Sequence, residues 1–405
     1  MRILIPTSTF PLELQGGWRR FVYDLAAALA KKAEVTVLAP GAPGVSEREM
    51  MGPVDVRRFS YFWPKSKQCL AYGTSMVDSM RESAWAKVQV PTFLLAQTRA
   101  LQSLLSKEHF DVVNSHWMVP QGLSVAMASY VSKPFKHVLS IHAGDVYFLN
   151  KLPQGKKLAK FIMKRTDAVF ADGSHVRDTL DRLVGAPSNG ILQPMGAHVE
   201  LFRNAKAIES PFPGGFLLFF GRFAEKKGIT YLLQAMPRVI AQFPGMGLIL
   251  IGYGTLEAAL RAEAQALGLS ESVKFVGAKN HTEICEYLHA CRLAVVPSII
   301  DSRGETEGMP TVVIEAMAAG VPVVGSNVDG IPDVISDRVN GWLCREKDPV
   351  DLAEKIVTAL SDPNAEQFRQ RARETAAHHD WAQVADRYLE VFERLLQARG
   401  ASPQG

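Results

Sequence analysis

The sequence alternates short apolar runs with longer amphipathic segments along almost its whole length, and this alternation constrains the fold most. Each apolar run has the length of a β-strand, and the turn after it leads into a segment with helical periodicity. Strands that are joined through helices form parallel sheets with helices on both faces. Strands are predicted at 2–7, 34–39, 111–115, 137–142 and 168–171, and again at 215–220, 247–251, 273–276, 293–297 and 321–325. The pattern therefore predicts an α/β protein with two doubly wound, Rossmann-like sheets.

The chain is predicted to form two domains, because 405 residues exceed one typical domain and the pattern lapses near the middle. Pro and Gly cluster at 194–196 and 211–215, and the chain between them lacks periodicity, as an interdomain connection does, so the boundary is placed near 196–213. We predict an N-terminal domain over 1–196 and a C-terminal domain over 197–380. The segment 381–405 is predicted to be helical and to pack back on the first domain through its apolar stripe. Because such sheets bind ligands beyond the carboxyl ends of their strands, we expect the site in a cleft that the two domains face.

Composition excludes several other classes of protein. The chain is 47% hydrophobic and 21% charged, so neither disorder nor a coiled coil fits, and no window approaches the ~20 apolar residues of a transmembrane helix. The four cysteines are scattered, which argues against a disulfide framework. No signal-peptide pattern is present, so we expect a cytoplasmic protein. Residues 1–200 hold 24 Lys and Arg against 16 Asp and Glu, an excess too diffuse for a dedicated nucleic-acid binder.

The most informative segment, residues 307–325, reads EGMPTVVIEAMAAGVPVVG. It places Glu307 in a loop and Glu315 inside a helix that is predicted to begin near Thr311. The N-terminus of that helix suits a diphosphate, Gly308 permits close approach of the backbone, and the two carboxylates suit vicinal hydroxyls of a sugar and a ribose. The alternative on spacing alone is that Glu307 is solvated and Glu315 pairs locally.

A second segment, residues 220–228, reads FGRFAEKKG and follows a very apolar strand. Gly221 ends the strand, and Arg222 and Lys227 follow at its carboxyl end. Two cations there suit a departing diphosphate, on which negative charge grows in the transition state. In isolation, a solvated basic turn is the preferred interpretation of these residues.

In this order and ~85 residues apart, the two segments resemble the retaining glycosyltransferase family 4, with its GT-B fold of two Rossmann-like domains. The resemblance covers nearly the whole chain. Within the family, the sequence is most similar to the exopolysaccharide- and lipopolysaccharide-type bacterial members. Further matching segments are Gly16-Gly17 before the first helix, residues 325–330 (GSNVDG) at a strand end, residues 340–343 (NGWL), residues 114–117 (NSHW) and residues 141–145 (IHAGD).

The resemblance implies a role for each matching residue. The predicted catalytic residues are His116 near the reacting sugar, Arg222 and Lys227 on the phosphates, and Glu307 on the transferred sugar. Backbone or side-chain groups are predicted to bind the donor at Gly16, Gly17, Gly221, Val276, Gly277, Gly308, Met309, Pro310, Thr311 and Glu315. His142 and Asp145 are acceptor-side candidates. Residues 195–198 (MGAH) depart from the family's Asn-Gly-Val-Asp, so His198 is interpreted as a linker residue.

The expected activity is hexosyl transfer from a UDP- or GDP-sugar to a glycan or lipid-linked acceptor, with retention, in cell-surface polysaccharide synthesis. No Asp-x-Asp follows a predicted strand and no His/Asp/Glu set has metal-ligand spacing, so neither a metal nor another cofactor is expected. The alternatives are a nucleotide-sugar 2-epimerase of the same architecture and a non-catalytic glycan- or nucleotide-binding subunit. The nucleotide, the sugar, the acceptor and the oligomeric state do not follow from the sequence.

The last expectation is peripheral contact of the first domain with an anionic membrane. Residues 151–165 carry six positive charges and no acid, with Lys157, Lys160 and Lys164 on one helical face and apolar side chains on another. Residues 59–65 (FSYFWPK) supply a second aromatic and basic patch.

Overall fold

The structure, a computed structural model, describes residues 1–14, 20–72 and 76–400. Its residues separate into two units. Unit 1 comprises Met1–Asp172, Val176–Gln193 and Val384–Gly405, and unit 2 comprises Gly173–His175 and Pro194–Gln383. Within the described ranges, no helix combines the length and the apolar character that crossing a bilayer requires.

Unit 1 is built on an eight-stranded sheet. Its strands are β1 (Arg2–Pro6), β2 (Glu34–Pro40), β3 (Arg48–Met51), β4 (Val54–Phe59), β5 (Val112–His116), β6 (Lys136–Ile141), β7 (Ala168–Ala171) and β8 (Ile191–Leu192). They lie in the order β3-β4-β2-β1-β5-β6-β7-β8, and every pair is parallel except β3 with β4. The chain winds outward from the centre in both directions, so the topological switch point lies between β1 and β5.

The helices of unit 1 cover this sheet. They are α1 (Phe21–Leu29), α2 (Met76–Glu82), α3 (Ala84–Lys107), α4 (Leu123–Ala128), α5 (Ala143–Lys151), α6 (Gly155–Met163) and α7 (Ser174–Val184). The central strands are buried because helices cover both of their faces, and β5 is buried at each of its five positions.

Unit 2 is built on a six-stranded, fully parallel sheet. Its strands are β9 (Phe216–Phe220), β10 (Gly247–Ile251), β11 (Val273–Gly277), β12 (Leu293–Val296), β13 (Val323–Ser326) and β14 (Trp342–Cys344). They lie in the order β11-β10-β9-β12-β13-β14, so the switch point lies between β9 and β12. The helices are α8 (Val199–Arg203), α9 (Ile229–Gln242), α10 (Glu257–Ala266), α11 (His281–Ala290), α12 (Thr311–Ala318), α13 (Pro349–Ser361) and α14 (Ala365–Ala377).

The last helix, α15 (Trp381–Gly400), packs on unit 1, as the sequence predicts. The Tyr388 ring stacks on Phe170 of β7 with ring centroids 3.9 Å apart. The Tyr388 hydroxyl lies 3.0 Å from the hydroxyl of Ser140 in β6, and Arg387 donates to the side-chain oxygen of Gln193. The predicted α/β class with two doubly wound sheets is confirmed.

Candidate functional site

The candidate residues of unit 2 lie at the switch point of its sheet. The loop after β9 and the loop after β12 both leave the carboxyl ends of neighbouring strands. In open α/β sheets this is where two loops diverge and leave a crevice for a ligand. Arg222 and Lys227 belong to the first loop, and Glu307 belongs to the second.

Glycines hold the loop after β9 tightly against its neighbours. Gly221 has φ +149°, and its amide donates to the carbonyl of Ile251 at 2.9 Å. Gly228 has φ +64°, and a Cβ built there would lie 1.9 Å from the carbonyl oxygen of Pro297. Only glycine tolerates both the left-handed backbone and this approach. Between them, residues Glu225–Lys227 form a single 3₁₀ turn, which is thereby fixed beside the end of β12.

That turn presents two ammonium groups to one carboxylate. Lys227 Nζ lies 2.7 Å from Glu307 Oε2, and Lys226 Nζ lies 2.9 Å from Glu307 Oε1. Burial would raise the pKa of Glu307, but the two lysines outweigh burial and hold that pKa well below its usual range. Burial would lower the pKa of Lys226, but Glu307 raises it overall. Glu307 and Lys226 are therefore both charged at neutral pH.

Lys226 is a residue that the sequence analysis missed. The nearby charge of Arg222 lowers the pKa of Lys226, whereas the charge of Glu307 raises it. The signal was available, because Lys226 and Lys227 are adjacent and a tight turn directs neighbouring side chains to one side. The sequence instead suggested one cation from each end of the FGRFAEKKG segment.

Helix α12 begins at Thr311, as predicted, directly after the loop that carries Glu307. Pro310 lies at its N-cap position and Met309 is buried, so the segment before the helix is anchored by its side chains. The amide of Gly330 donates to the carbonyl of Gly308 at 3.0 Å. The first N–H groups of the helix have no intrahelical acceptor, and together with the helix dipole they favour an anion.

Glu315 lies one turn into α12 and differs sharply from Glu307. Burial raises the pKa of Glu315 to about 7, although a hydrogen bond from Thr311 and the charges of Lys227 and His198 lower it. His198 is thus close enough to Glu315 to influence the pKa of that carboxyl. The sequence analysis interpreted His198 as a linker residue and did not predict this proximity. Two carboxylates eight positions apart therefore have opposite pKa shifts, a pattern that marks functional sites.

Val276 and Gly277 close the edge strand β11 at the same end of the sheet. Gly277 accepts from the amide of Gly252 at 2.9 Å and has φ +74°, with nothing within 4 Å of a Cβ built on it. The structure thus brings the C-terminal candidates to one edge of one sheet. They are Gly221, Arg222, Lys227, Val276, Gly277, Glu307, Gly308, Met309, Pro310, Thr311 and Glu315.

The candidates of unit 1 form a buried polar cluster at the carboxyl ends of β5 and β6. His116 is the last residue of β5, and His142 is the N-cap of α5 directly after β6. His116 Nδ1 lies 3.3 Å from His142 Nε2. Asp145 accepts from the amide of His142 at 3.0 Å and from the amide of Met118. The role of Asp145 in the structure is therefore to cap α5 and to fix the turn after His116.

Burial dominates the electrostatics of this cluster. It lowers the pKa of His116 well below the usual range, with a contribution from the charge of His142, so His116 is a neutral imidazole at pH 7. It raises the pKa of Asp145 to about 6, although His142 and two backbone amides oppose the rise. Gly16 and Gly17 lie outside the described residues. Within the described part of the chain, no group of three or more His, Cys, Asp and Glu side chains has an arrangement that could hold a metal ion.

Comparisons with known proteins match each half of the chain. Residues 15–192 match the model for Glycosyltransferase Family 4, and residues 203–379 match the model for Glycosyl transferases group 1. Glycogen synthase from Mycobacterium tuberculosis is 27% identical over 99% of this chain and 96% of its own length. The amylovoran biosynthesis glycosyltransferase AmsK of Erwinia amylovora is 37% identical over 57% of this chain and 56% of its own length.

Among solved structures, Anabaena HepE in complex with UDP resembles this chain with a TM-score of 0.70 and 17% identity, covering 97% of this chain and 99% of that one. At that identity the likeness speaks for the fold alone. The two family models together span most of the sequence, and one falls on each unit. The chain therefore belongs to the family 4 glycosyltransferases of GT-B fold, enzymes that use nucleotide-sugar donors.

Proposed function

We propose that this protein transfers a hexose from a UDP- or GDP-sugar to a glycan or lipid-linked acceptor, with retention of the anomeric configuration and without a metal ion. The cluster of Lys226, Lys227 and Glu307 beside the N-terminus of α12 carries the proposal. It offers fixed positive charge and helix N–H groups for a diphosphate, and a permanently ionised carboxylate for sugar hydroxyls.

Each charged group has a separate task in this proposal. Arg222 and Lys227 bind the diphosphate and stabilise the charge that develops as it leaves. Glu307 accepts hydrogen bonds from hydroxyls of the transferred sugar, and Lys226 keeps that carboxylate ionised when Lys227 turns to phosphate. Glu315 accepts from the ribose hydroxyls. Because lysines, an arginine and a helix N-terminus neutralise the diphosphate, a divalent ion is not needed for leaving-group departure.

The reaction proposed is attack by the acceptor hydroxyl on the anomeric carbon from the side of the leaving group, through an oxocarbenium-like state. The bond from the anomeric carbon to the phosphate oxygen breaks, and a phosphate oxygen of the leaving group takes the hydroxyl proton. Glu307 is held between two lysines, and an ion-paired carboxylate is a poor nucleophile. This favours a single displacement on the retained face over a covalent glycosyl-enzyme.

The donor is found by thermal shift with a panel of nucleotide-sugars, since a ligand at 100 times its Kd adds roughly 2.7 kcal/mol to the free energy of unfolding. Anomeric configuration is then read from the product by NMR. An inverted product would refute the retaining assignment. Formation of an epimerised nucleotide-sugar without acceptor would identify an epimerase instead.

The two carboxylates are separated by calorimetry with the bare nucleoside diphosphate. Glu315→Ala is expected to raise its Kd, because the ribose loses its partner. Glu307→Ala is expected to leave that Kd nearly unchanged while transfer falls. Equal losses of nucleotide binding in both variants would contradict the division of roles.

We also propose that the product is a cell-surface polysaccharide. Support comes from the relative whose name places it in the biosynthesis of amylovoran, and from the acceptor classes to which the family's motifs point. A lipid-linked acceptor would be presented at a membrane surface. Sugar transfer to polyprenyl-linked glycans, compared with free oligosaccharides, tests this assignment directly.

Membrane contact through unit 1 is proposed on electrostatic grounds only. The apolar face of α6 packs on the core of unit 1, where Ile162 is fully buried, so this face is not available to lipid. Likewise, Phe59 and Tyr61 are buried, which removes most of the aromatic patch expected at 59–65. Exposed lysines of α6, such as Lys157, and the indole of Trp63, which is 86% exposed, remain for anionic headgroups.

Co-sedimentation with vesicles of increasing anionic lipid content tests this contact at low and high salt. Binding is expected to rise with anionic lipid, to fall with salt and to drop when Lys157, Lys160 and Lys164 are changed to Glu. Binding that is indifferent to lipid charge would refute it.

A further inference from the structure

A buried aspartate that no sequence motif singled out lies beside the histidine cluster of unit 1. Asp172 directly follows β7, and its carboxylate Oδ2 lies 3.2 Å from Nδ1 of His142. It is 7% exposed, and its other oxygen, Oδ1, finds no hydrogen-bond partner among the described residues. Its visible bond is therefore directed at His142.

Asp172, His142 and His116 form one continuous chain across three neighbouring strands. From His142 the chain continues through Nε2 to Nδ1 of His116, 3.3 Å away, and the two imidazole planes differ by only 17°. The two ring nitrogens are thus within hydrogen-bond distance of each other. At its far end, Nε2 of His116 is buried and has no hydrogen-bond partner within the described part of the chain.

The direction of each bond follows from the atoms at its ends. A carboxylate oxygen accepts, so Nδ1 of His142 donates to Asp172. Where each ring carries one N–H, this bond leaves Nε2 of His142 as an acceptor, and Nδ1 of His116 donates to it. His116, which burial keeps neutral, is left with a lone pair on Nε2. A hydrogen-bond acceptor is thus held in a buried position, with no hydrogen-bond partner among the described residues.

Other side chains near Asp172, His142 and His116 do not compete for the hydrogen bonds that join these three residues. Asp145 is occupied by the amides of His142 and Met118. The hydroxyl of Tyr388 is hydrogen-bonded to the hydroxyl of Ser140. The negative charge of Asp172 contributes to raising the pKa of Tyr388. Phe21 meets the rings of both histidines edge-on, at centroid distances of 6.3 Å and 5.4 Å, and offers no hydrogen-bonding atom.

We propose that Asp172 is a positioning residue which, through His142, holds His116 in its Nδ1–H tautomer so that Nε2 accepts a hydrogen bond from a substrate hydroxyl. The inference rests on the proposed function for the nature of that substrate. This relay requires two histidines, because Asp172 contacts His142 and His142 in turn contacts His116. The first ring passes the orienting effect of a carboxylate to the second, which lies one strand farther away.

The test measures the tautomer directly. In protein labelled with ¹⁵N-histidine, long-range ¹H–¹⁵N spectra at pH 7 report which ring nitrogen carries the proton, and a His116→Asn variant assigns the signal. The wild type is expected to show an unprotonated Nε2 at His116. In Asp172→Leu, which removes the acceptor but keeps the number and branching of the side-chain heavy atoms, the His116 signals are expected to report both tautomers. Asp172→Glu restores a carboxylate and is expected to restore the single tautomer.

Kinetics separate positioning from a structural role. Asp172→Leu is expected to lower kcat by on the order of 10- to 100-fold, the usual cost of losing an orienting partner. The Kd for the bare nucleotide is expected to be unchanged, because Asp172 lies in unit 1 whereas Arg222, Lys227 and Glu315 lie in unit 2. Asp178→Leu is the matched control, since Asp178 is exposed on α7, where it pairs with Arg177.

A proton on Nε2 of His116 in the wild type, or an unchanged tautomer in Asp172→Leu, would overturn the inference. The spectra need no sugar donor. Absence of transfer from every nucleotide-sugar would therefore defeat the proposed function while the assignment of the tautomer is still decided by NMR.

Discussion

The opposite pKa shifts of Glu315 and Glu307 predict opposite effects on stability when each is replaced by Gln. The pKa of Glu315 is raised from 4.5 to about 7, chiefly by burial. The native state therefore holds this proton more tightly than the unfolded state does. The free energy of unfolding that Glu315 contributes therefore decreases as the pH rises from about 4.5 to about 7. Above pH 7 the destabilisation by the ionised carboxylate has reached its full value.

The magnitude follows from the shift. At 1.36 kcal/mol per pKa unit, keeping Glu315 ionised costs at most about 3 kcal/mol above pH 7. Glutamine resembles the protonated carboxyl and still accepts from Thr311. Glu315→Gln is therefore expected to be more stable than the wild type at pH 8, by up to that amount, and equally stable near pH 4.5.

Glu307 behaves in the opposite way. Its folded pKa is depressed, so its contribution to stability is present above pH 4.5 and is lost only as the pH falls through the folded value. Glu307→Gln leaves Lys226 and Lys227 without their carboxylate. We expect a loss on the order of 2–4 kcal/mol at pH 8, toward the lower end because the pair is partly exposed.

Urea unfolding followed by tryptophan fluorescence, without nucleotide, measures both variants at pH 8 and pH 5. Trp342, buried in unit 2, reports on the unit that carries both substitutions. Glu271→Gln, at an exposed position, is the control and is expected to change stability at neither pH. A Glu315→Gln protein that is no more stable than the wild type at pH 8, or that gains equally at both pH values, would refute the reasoning.

Three further predictions concern the same loops. Arg222→Ala and Lys227→Ala are each expected to lower kcat by on the order of 10²-fold, more than they weaken donor binding, since leaving-group charge peaks in the transition state; near-normal turnover in both would remove the diphosphate assignment. Transfer is expected to survive excess EDTA, and loss of activity with rescue by Mg²⁺ or Mn²⁺ would show that the donor site needs a metal. Gly228→Ala, at φ +64° and against the Pro297 carbonyl, is expected to lose on the order of 2–4 kcal/mol, whereas Gly268→Ala, at φ +71° with free space around it, should lose about 1 kcal/mol in the same unfolding experiment.

The positions of the strands and of helix α12 could be predicted because local signals fix them. The strand predicted at 247–251 and the helix start at Thr311 agree with β10 and α12. Apolar runs between glycine turns are informative where helices cover both faces of a sheet, because most positions of such strands are buried. The strand predicted at 321–325 begins only at Val323, because Pro322 has no amide to donate to a sheet.

The pairings inside the site could not be predicted, because they join residues far apart in sequence. Glu307 meets Lys226 and Lys227 across about eighty positions, and His142 meets Asp172 across thirty. The amphipathic pattern of α6 was equally ambiguous, because an apolar face looks the same in sequence whether it covers a protein core or faces lipid. Register and strand order, which decide these contacts, are properties of the assembled sheet.

The packing of α15 on β6 and β7 has a consequence for synthesis on the ribosome. The stack of Tyr388 on Phe170 completes the core of unit 1 with a residue made almost two hundred positions after β8. At roughly 5–20 residues per second, that helix follows about 10–40 s behind the sheet that it covers. Through this interval the surface around Phe170 is bare, while the six strands of unit 2 are translated without interruption. The order of translation therefore places all six strands of unit 2 between the sheet of unit 1 and the helix that completes the core of that unit.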